Sequence, residues 1–351
     1  MANKKRPRLS DDEFDVLQQY RRVRNQLNEE GTPLDMGWLK LKEGSFRFKV
    51  PKGEFSVRDF DFTSSFQNIE PIKIDNRLTT NKTTALFDRL VLTDIHIGMD
   101  ASDKGRSLYD LSWTRDDIFA TLTQIINFTI ENQRSETLYI VDLGDFLDGF
   151  NAQTTRGGHS LQQNLTNQEA FDLGIKFKTV LIESLLPYYS KIVFHNINND
   201  NHAGDFAYCL NSALKMYCEK AYLGKVEVVN QLKFIDYNIV GKYCFVTTHG
   251  KDSTHLKHGF KPKLDAVQIN KIIGFLNSKN LLNQGYEIIF EKGDSHQCIF
   301  DSSSSDLFKY YNYPALSPSS NWVQTNFQKG KRGFVLFNYY ENRKSVNEYF
   351  F

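Results

Sequence analysis

Five short polar signatures follow one another along the middle of the chain, each directly after a segment with the apolar pattern of a buried strand. They are Asp94-Ile95-His96, Gly144-Asp145, Asn201-His202, His249-Gly250 and Gly293-Asp294-Ser295-His296. Together they bring carboxylate, imidazole and amide groups, the ligand mixture that a two-metal hydrolytic site requires. One such signature arises often by chance, whereas five in order at strand ends predict a metal centre for phosphoester hydrolysis.

A bridging carboxylate is the most demanding part of such a centre. Two divalent ions that hold a water and clamp a phosphate lie about 3.5–4 Å apart, so a shared anionic ligand has to offset their repulsion. Asp145 is the candidate, because the preceding Gly144 permits a tight turn into the site. Asp148, three residues further on, is interpreted as a cap of the following loop.

The elements that must position these residues are strands that alternate with helices. Apolar runs predict strands at 89–93, 138–141, 191–194, 226–229, 234–240, 243–248, 286–290 and 333–339. Amphipathic periodicity predicts helices at 114–132, 167–186, 205–220 and 266–277. We therefore expect an α/β fold, a two-layered mixed β-sandwich flanked by helices, in which the carboxyl ends of the strands meet at one crevice.

Composition and periodicity divide the chain into three parts. Residues 1–85 are predicted to form an accessory segment, with a helix after the capping box that runs from Ser10 to Glu13 and with short strands marked by Phe46 and Phe48. Residues 86–300 are predicted to form the catalytic domain. Residues 301–351 are predicted to add strands that complete the sandwich.

The bulk composition bounds the class of protein. The 351 residues are 40% hydrophobic and 14% aromatic, enough for a large core, and the net charge of +1 neither favours nor excludes a nucleic-acid partner. No apolar run approaches the roughly 20 residues that cross a bilayer, and no signal-peptide core follows the basic start. The four cysteines lack the spacing of a zinc site. We expect a cytoplasmic protein with no membrane partner, in the host cytoplasm if it is phage-encoded.

The five signatures resemble the motif series of the calcineurin-like metallophosphoesterase superfamily, which runs D-x-H, G-D, G-N-H-D/E, H and G-H-x-H and includes the Mre11/SbcD-type nucleases. The resemblance covers about residues 86–300 and is greatest to the versions found in phage genomes. It implies a four-layer α/β/β/α fold and a two-metal phosphoesterase. It also implies Asp94, His96 and His296 as ligands of the first metal, His249 as a ligand of the second, and Asp145 as the shared ligand.

Two motifs depart from the family pattern. In the third, one register makes Asn201 the second-metal ligand and His202 the histidine that assists phosphate binding and leaving-group protonation, whereas another makes Asn198 the ligand. The first register preserves both functions. In the fifth, Asp294 stands where the family has its first histidine, and the extra carboxylate favours manganese or magnesium over zinc. We expect two divalent ions, Mn²⁺ before Zn²⁺, Fe²⁺ or Mg²⁺.

Basic side chains near the signatures predict contacts to a polyanionic substrate. Lys251, His255 and Lys257 follow the fourth signature, although a solvated loop explains these three equally well, and Arg156 follows the second as a candidate phosphate clamp. With the resemblance they favour a phosphodiesterase or nuclease that acts on DNA or RNA, for which a homodimer would be natural. The alternatives are a phosphatase for proteins or small molecules, and a weakly catalytic metal-binding module of a phage particle or complex.

Overall fold

The computed structural model describes residues 36–41, 44–49, 84–102, 111–250, 262–326 and 330–351. The chain divides into two compact units, Met1–Asp61 and Phe62–Phe351. In the first unit, strands β1 (Met36–Leu41) and β2 (Gly44–Lys49) pair antiparallel. The alternating phenylalanines at 46 and 48 thus lie in a strand, as predicted. The helix predicted after Ser10 lies outside the described residues, and the proposed domain boundaries stay predictions.

The first sheet of the second unit has six strands in the order β13-β12-β3-β4-β5-β6. Strands β3 (Phe87–Leu92), β4 (Thr137–Asp142), β5 (Lys191–Ile197) and β6 (Val226–Gln231) are parallel. Strands β12 (Gly333–Tyr339) and β13 (Lys344–Phe350) extend the sheet antiparallel beside β3. Parallel strands end at the same edge, so this sheet delivers three of the polar signatures to one side of the molecule.

The second sheet has five strands in the order β10-β11-β9-β8-β7. It contains β7 (Ile235–Val240), β8 (Tyr243–Thr248), β9 (Glu287–Lys292), β10 (Ile299–Asp301) and β11 (Lys309–Asn312). Strands β8, β9 and β11 are parallel, and the outer strands run antiparallel to them. The carboxyl ends of β8 and β9 carry the two remaining signatures.

Helices cover the outer faces of both sheets. Helices α1 (Arg115–Glu131), α2 (Asn167–Leu185) and α3 (Asp205–Ala221) share one apolar core with the first sheet, whereas α4 (Ala266–Ser278) packs on the second. A short helix, α5 (Asn321–Asn326), follows β11. A third core, of apolar and aromatic side chains, fills the space between the sheets. The predicted two-layered mixed sandwich flanked by helices is therefore confirmed.

Local sequence explains why these helices begin where they do. Capping boxes start α1 at Thr114, α2 at Thr166 and α4 at Asp265, each side chain accepting a hydrogen bond from the backbone three residues on. The predicted bounds of the four helices hold to within about two residues, the usual scatter at helix ends.

Strands β10, β11 and β13 and the short helix α5 were not predicted individually from the sequence pattern. They are short or carry polar residues on both faces, so periodicity gives no signal. Tyr310, Tyr311 and Tyr313 are buried in or beside β11 and belong to the apolar cores of the protein. No helix among the described residues is both long and apolar enough to cross a bilayer.

Stability at acidic pH should depend on His195, which lies on β5 and contacts Gln231 through Nε2 at 3.0 Å. Burial lowers the pKa of His195 from 6.5 to about 4, against the opposing effect of that hydrogen bond. Between these two pH values His195 is protonated in the unfolded chain but not in the folded one. The free energy of unfolding therefore decreases as the pH falls from 6.5 toward 4. Between about pH 7 and 4.5 we expect a loss of about 2–3 kcal/mol that His195→Gln avoids.

Urea unfolding at the two pH values measures this difference. His159→Gln, which replaces an exposed histidine, is the matched control and should keep the wild-type loss. An equal loss in His195→Gln would contradict the assignment.

Candidate metal centre

The five signatures converge where the carboxyl ends of strands from both sheets meet. Asp94 and His96 follow β3, Asp145 follows β4, and Asn201 and His202 follow β5. His249 follows β8, and Asp294 and His296 follow β9. Among the described residues, three overlapping groups have ligand atoms that all lie within 4.8 Å of one another: Asp94–His96–His296, His96–Asp145–His202 and Asp94–Asp145–His249.

The first group is centred on Asp94. Its Oδ2 is fixed by hydrogen bonds from Thr93 Oγ1 at 2.6 Å and from the Asp294 backbone N–H at 3.0 Å. Its Oδ1 lies 3.2 Å from His296 Nε2 and 3.7 Å from His96 Nε2. One carboxylate oxygen is thus held by the protein while the other faces two imidazoles, the arrangement of a first ligand to a metal ion.

The second group is centred on Asp145. Its Oδ1 accepts from the His202 backbone N–H at 3.2 Å. Its Oδ2 lies 3.1 Å from His249 Nε2, 3.7 Å from His202 Nε2 and 3.9 Å from His96 Nε2. His249 Nε2 is also 3.8 Å from Asp294 Oδ1. Asp145 therefore stands between the groups, where a bridging ligand has to stand.

The backbone at the ligands is unusual. Asp94, His96, Asp145, Asp294 and His296 all have positive φ, between 48° and 66°. The left-handed region costs a residue with a side chain of the order of 1–2 kcal/mol, and such residues cluster at functional sites. Five of them at one crevice indicate that the loops are shaped for the site rather than for stability.

At two positions neighbouring side chains approach the backbone so closely that only glycine fits. A Cβ on Gly144, whose φ is +103°, would lie 2.9 Å from His249 Nδ1 and 3.0 Å from Asp200 Cβ. A Cβ on Gly293 would lie 2.0 Å from Thr93 Oγ1 and 2.8 Å from Asp94 Oδ2. These glycines let the second and fifth signatures close against the first and fourth.

Each of three histidines has its Nδ1 engaged away from the ligand cluster, which leaves Nε2 to face it. His96 Nδ1 lies 3.0 Å from Asp148 Oδ1, His202 Nδ1 lies 2.8 Å from the Asp148 carbonyl oxygen, and His249 Nδ1 lies 2.9 Å from the Leu143 carbonyl oxygen. Such contacts select the tautomer whose Nε2 lone pair points at a metal and hold the ring in place.

Asp148 is the residue that the sequence interpretation undervalued. It is buried and contacts two histidines of the site, so its interpretation as a loop cap was wrong. The signal that could have found it was its spacing, three residues after Asp145. Asp200 was missed as well: it is buried, and its Oδ1 accepts from the backbone N–H groups of Ala203 and Gly204, which shapes the loop that carries His202.

The third motif has two amides with different environments. Asn198 Oδ1 accepts a hydrogen bond from Asn211 Nδ2 at 2.6 Å. Asn201 is 1% exposed and lines the cavity, and its Oδ1 has no hydrogen-bond partner among the described residues. The free amide oxygen at the site is therefore that of Asn201, which supports the first of the two registers.

The donor set fits divalent metal ions. Buried polar atoms normally find partners, yet His96 Nε2 and Asn201 Oδ1 find none within the described part of the chain. Both atoms belong to the cluster of carboxylate, imidazole and amide groups that Mn²⁺, Zn²⁺ or Mg²⁺ takes as ligands. The residues present would hold such ions without rearrangement of their hydrogen bonds to the rest of the fold.

The charges within the cluster are strongly coupled. Burial alone would raise the pKa of Asp145, but His202 and His249 hold it below its ordinary value. Burial would lower the pKa of His249, but Asp145 and Asp94 raise it to about 10. Without metal the histidine is therefore protonated at neutral pH. Metal binding has to release that proton, so metal affinity should rise with pH.

The cavity beside the cluster has a volume of about 420 Å³, within the range of small-molecule sites. Part of the ligand cluster lines it, namely His96, Asp145, Asn201, His202, Asp294 and His296. Its walls bring together apolar and neutral polar side chains, among them Met99, Thr154, Leu161, Ser320 and Val323. Of the described residues that line it, none is a lysine or an arginine.

The predicted substrate contacts have separate outcomes. Arg156 donates through Nη2 to the carbonyl oxygen of Asn199 at 3.2 Å, and it is not among the described residues that line the cavity. Its role as a phosphate clamp stays a prediction. Lys251, His255 and Lys257 lie outside the described residues.

Comparisons with known proteins return weak likenesses of structure. No family model and no curated protein matches the chain. A zinc complex of wild-type Vps29 from Entamoeba histolytica matches with a TM-score of 0.35 and 11% identity, covering 75% of this chain and 92% of that one. A conserved uncharacterized protein from Streptococcus pneumoniae TIGR4, titled a predicted phosphoesterase, matches with a TM-score of 0.30 and 9% identity over 75% and 97%.

A third solved structure, 5'-nucleotidase from Candida albicans SC5314, matches with a TM-score of 0.32 and 12% identity. The match covers 79% of this chain and 52% of that one. Similarity at this level carries no conclusion about family or activity. The function is therefore inferred from the site itself.

Metal ions should stabilise the fold measurably. A ligand at about 100 times its Kd adds about 2.7 kcal/mol of stability per site, which for the unit Phe62–Phe351 corresponds to a rise in Tm of about 4 °C per site. We expect this rise on adding Mn²⁺ to chelator-treated protein, and a larger rise at higher pH because protons are released. Scanning calorimetry with Mn²⁺ and with EDTA measures it.

Two buried aspartates on or next to β3 give a matched pair for this test. Asp94→Asn should lose most of the Mn²⁺-dependent rise, whereas Asp88→Asn, at the opposite end of the strand, should keep it. Identical Tm values in Mn²⁺ and EDTA for the wild type would contradict a metal site.

Proposed function

We propose that this protein is a metal-dependent hydrolase that cleaves phosphoester bonds at a dinuclear metal centre. The observation that carries the proposal is the position of Asp145 Oδ2, which faces His96, His202 and His249 between two clusters of buried ligands. Asp94, His96 and His296 would hold one ion and Asn201, His249 and Asp294 the other. Asp145 would be shared between the two ions.

Two such ions, when bound, supply an activated water and neutralise charge on the phosphoryl oxygens. The chain's own residues contribute the rest. His202 lies beside Asp145 and lines the cavity, and its Nδ1 contact to the Asp148 carbonyl leaves Nε2 toward the site. Burial would lower the pKa of His202, but Asp145 raises it above its ordinary value, which favours the protonated ring. We assign it the delivery of that proton to the leaving oxygen.

The metal pair is proposed from the ligand set. The proposed ligands are three carboxylates, one amide oxygen and three imidazoles. Oxygen and imidazole ligands suit Mn²⁺, whereas structural zinc sites are typically rich in cysteine thiolates. We propose Mn²⁺ as the preferred ion, with Zn²⁺, Fe²⁺ and Mg²⁺ as the alternatives that metal analysis has to compare.

For the substrate we propose a phosphodiester, including DNA or RNA, on the strength of the motif resemblance and the basic segment after His249. The cavity supports a second candidate. The cavity is small, and none of the described residues that line it is a lysine or an arginine. It therefore suits a phosphoester whose esterified group is small and uncharged better than it suits a polyanion. A small phosphomonoester or diester is therefore the competing substrate class.

Hydrolysis of three substrates tests the proposal: bis(p-nitrophenyl) phosphate, p-nitrophenyl phosphate and a short single-stranded oligonucleotide. Each is assayed with Mn²⁺, Zn²⁺, Ni²⁺ or Mg²⁺ and with EDTA. Turnover of any of them that requires metal supports the hydrolase, and the preferred substrate decides the class. A protein that is inert toward all three under every condition would refute it.

Bound metal without hydrolysis would instead support the remaining alternative, a metal-binding module of a larger assembly. The Mre11/SbcD-type and phage assignments, the cytoplasmic location and the homodimer stay proposals. Sedimentation of the purified chain tests the last of these.

A further inference from the structure

A buried lysine, which has no role in the proposed chemistry, donates hydrogen bonds to residues that adjoin the loops of the metal centre. Lys178 lies on α2 and is 0% exposed. Its Nζ donates to Asp142 Oδ2, Asn196 Oδ1 and Asn211 Oδ1, each at 2.7 Å. An ammonium group has three N–H donors, so these acceptors use its full capacity. The Nζ also lies 4.0 Å from the centroid of the Phe146 ring.

One partner of Lys178 leads to the bridging ligand. Asp142 is the last residue of β4, and its Oδ1 accepts a hydrogen bond from the Gly144 backbone N–H at 3.0 Å. One oxygen of this carboxylate thus accepts a hydrogen bond from Lys178, and the other accepts one from the backbone of the turn. Asp145 is the next residue after that turn, so its placement depends on Asp142.

Another partner leads to the third motif. Asn211 lies on α3 and donates through Nδ2 to Asn198 Oδ1 at 2.6 Å. Asn198 also donates its backbone N–H to the Gln231 carbonyl oxygen at 2.9 Å. The loop that begins at Asn198 carries Asn201 and His202, so a second path runs from the same ammonium to the third motif.

Stability alone does not account for such a group. Removing a lysine from water costs several kcal/mol, and exchanging a buried ion pair for apolar side chains of similar volume is often neutral or stabilising. A buried ammonium with three fixed acceptors instead imposes one geometry on the elements that supply them. Here those elements are β4, β5 and α3, two of which lead directly into ligand-bearing loops.

We propose that Lys178 is a positioning residue for the metal centre. Its ammonium sets the Gly144-Asp145 turn and the loop of Asn201 and His202 at the spacing that two metal ions require. The inference rests on the proposed function, because it assumes that these loops bind metal.

The variant Asn211→Ala cuts one of the two paths while leaving the Lys178–Asp142 pair in place. We expect Mn²⁺ affinity, measured by isothermal titration calorimetry, to fall about 10-fold or more, the size of effect seen for groups that orient ligands. Asn338→Ala is the matched control. Asn338 is a buried asparagine on β12 that donates to Asp88, far along β3 from the site, and this variant should keep wild-type Mn²⁺ affinity even if it is less stable.

A second variant removes both charges together. In Lys178→Met/Asp142→Asn no carboxylate is left buried without its cation, so the chain should still unfold cooperatively, and its Mn²⁺ affinity should also fall at least about 10-fold. Wild-type affinity in both folded variants would overturn the positioning role while leaving the proposed function intact. Failure of the wild-type protein to bind Mn²⁺ at all would overturn both.

Discussion

Asp145→Asn is expected to slow metal-dependent phosphoester hydrolysis by about a thousandfold or more. Asparagine keeps the size of the side chain but removes the negative charge that faces His96, His202 and His249. A shared anionic ligand contributes several kcal/mol to a two-metal site, and each 1.36 kcal/mol corresponds to about tenfold in rate. The variant should also bind fewer metal ions per chain, because two cations cannot be held close together without it.

Steady-state rates and metal content by mass spectrometry of the same preparation check this prediction. Asp88→Asn is the control, since Asp88 is equally buried but accepts its hydrogen bonds from Arg134, Ser135, Tyr189 and Asn338, away from the site. If Asp145→Asn kept both its metal ions and its rate, the bridging role would have to pass to another carboxylate, such as Asp94, which shares a ligand group with His249.

His202→Gln is expected to lower kcat by about 10²–10⁴-fold, the usual contribution of a positioned general acid. The effect should fall on kcat more than on KM, and bound metal should remain at the wild-type level, because other residues supply the ligands. Glutamine cannot carry the transferable proton, so the fall in activity as the wild-type histidine deprotonates at high pH should be absent from the variant. The pH at which that fall occurs in the wild type gives the pKa of His202 in the metal-loaded protein.

Rates across pH, together with metal content, measure this outcome. His195→Gln is the matched control: it removes another buried histidine, one that contacts Gln231 instead of the cluster, and should keep the wild-type rate at neutral pH. Loss of a metal ion from His202→Gln would assign His202 to the ligands, as its group with His96 and Asp145 allows, and would leave the proton donor to be found elsewhere.

Much of this architecture could be read from local sequence. Strands β8 and β12 have the predicted bounds, and α2 differs by one residue, because apolar runs, capping boxes and proline or glycine signals act over a few positions. The seven candidate ligands were also visible. Each follows an apolar strand, and the carboxyl ends of parallel strands in a sheet lie on one side whatever the details of packing.

Other features depend on partners that are far apart in the chain. Arg89 on β3 pairs with Glu291 on β9 at 2.5 Å across the two sheets, and Tyr313 donates to the same carboxylate at 2.6 Å. The local amino-acid sequence around these residues does not predict that they pair. The parallel pairing of β11 with β9 joins residues 20 positions apart, such as Lys309 and Ile289, and neither face of this short strand offers a periodic signal.

The sequence by itself determined which residue types stand at the strand ends and in what order, because strand periodicity and signature motifs are properties of neighbouring positions. Only the tertiary structure decided which atoms face the site. It leaves the Asn201 amide oxygen without a hydrogen-bond partner among the described residues, whereas Asn211 donates to the amide oxygen of Asn198, and it places Asp148 in contact with two histidines. It also collects the three acceptors of Lys178 from three elements. The physical reason is that hydrogen-bond direction and desolvation depend on the packed surroundings, and the residues that meet in these contacts lie 13 to 54 positions apart in the chain.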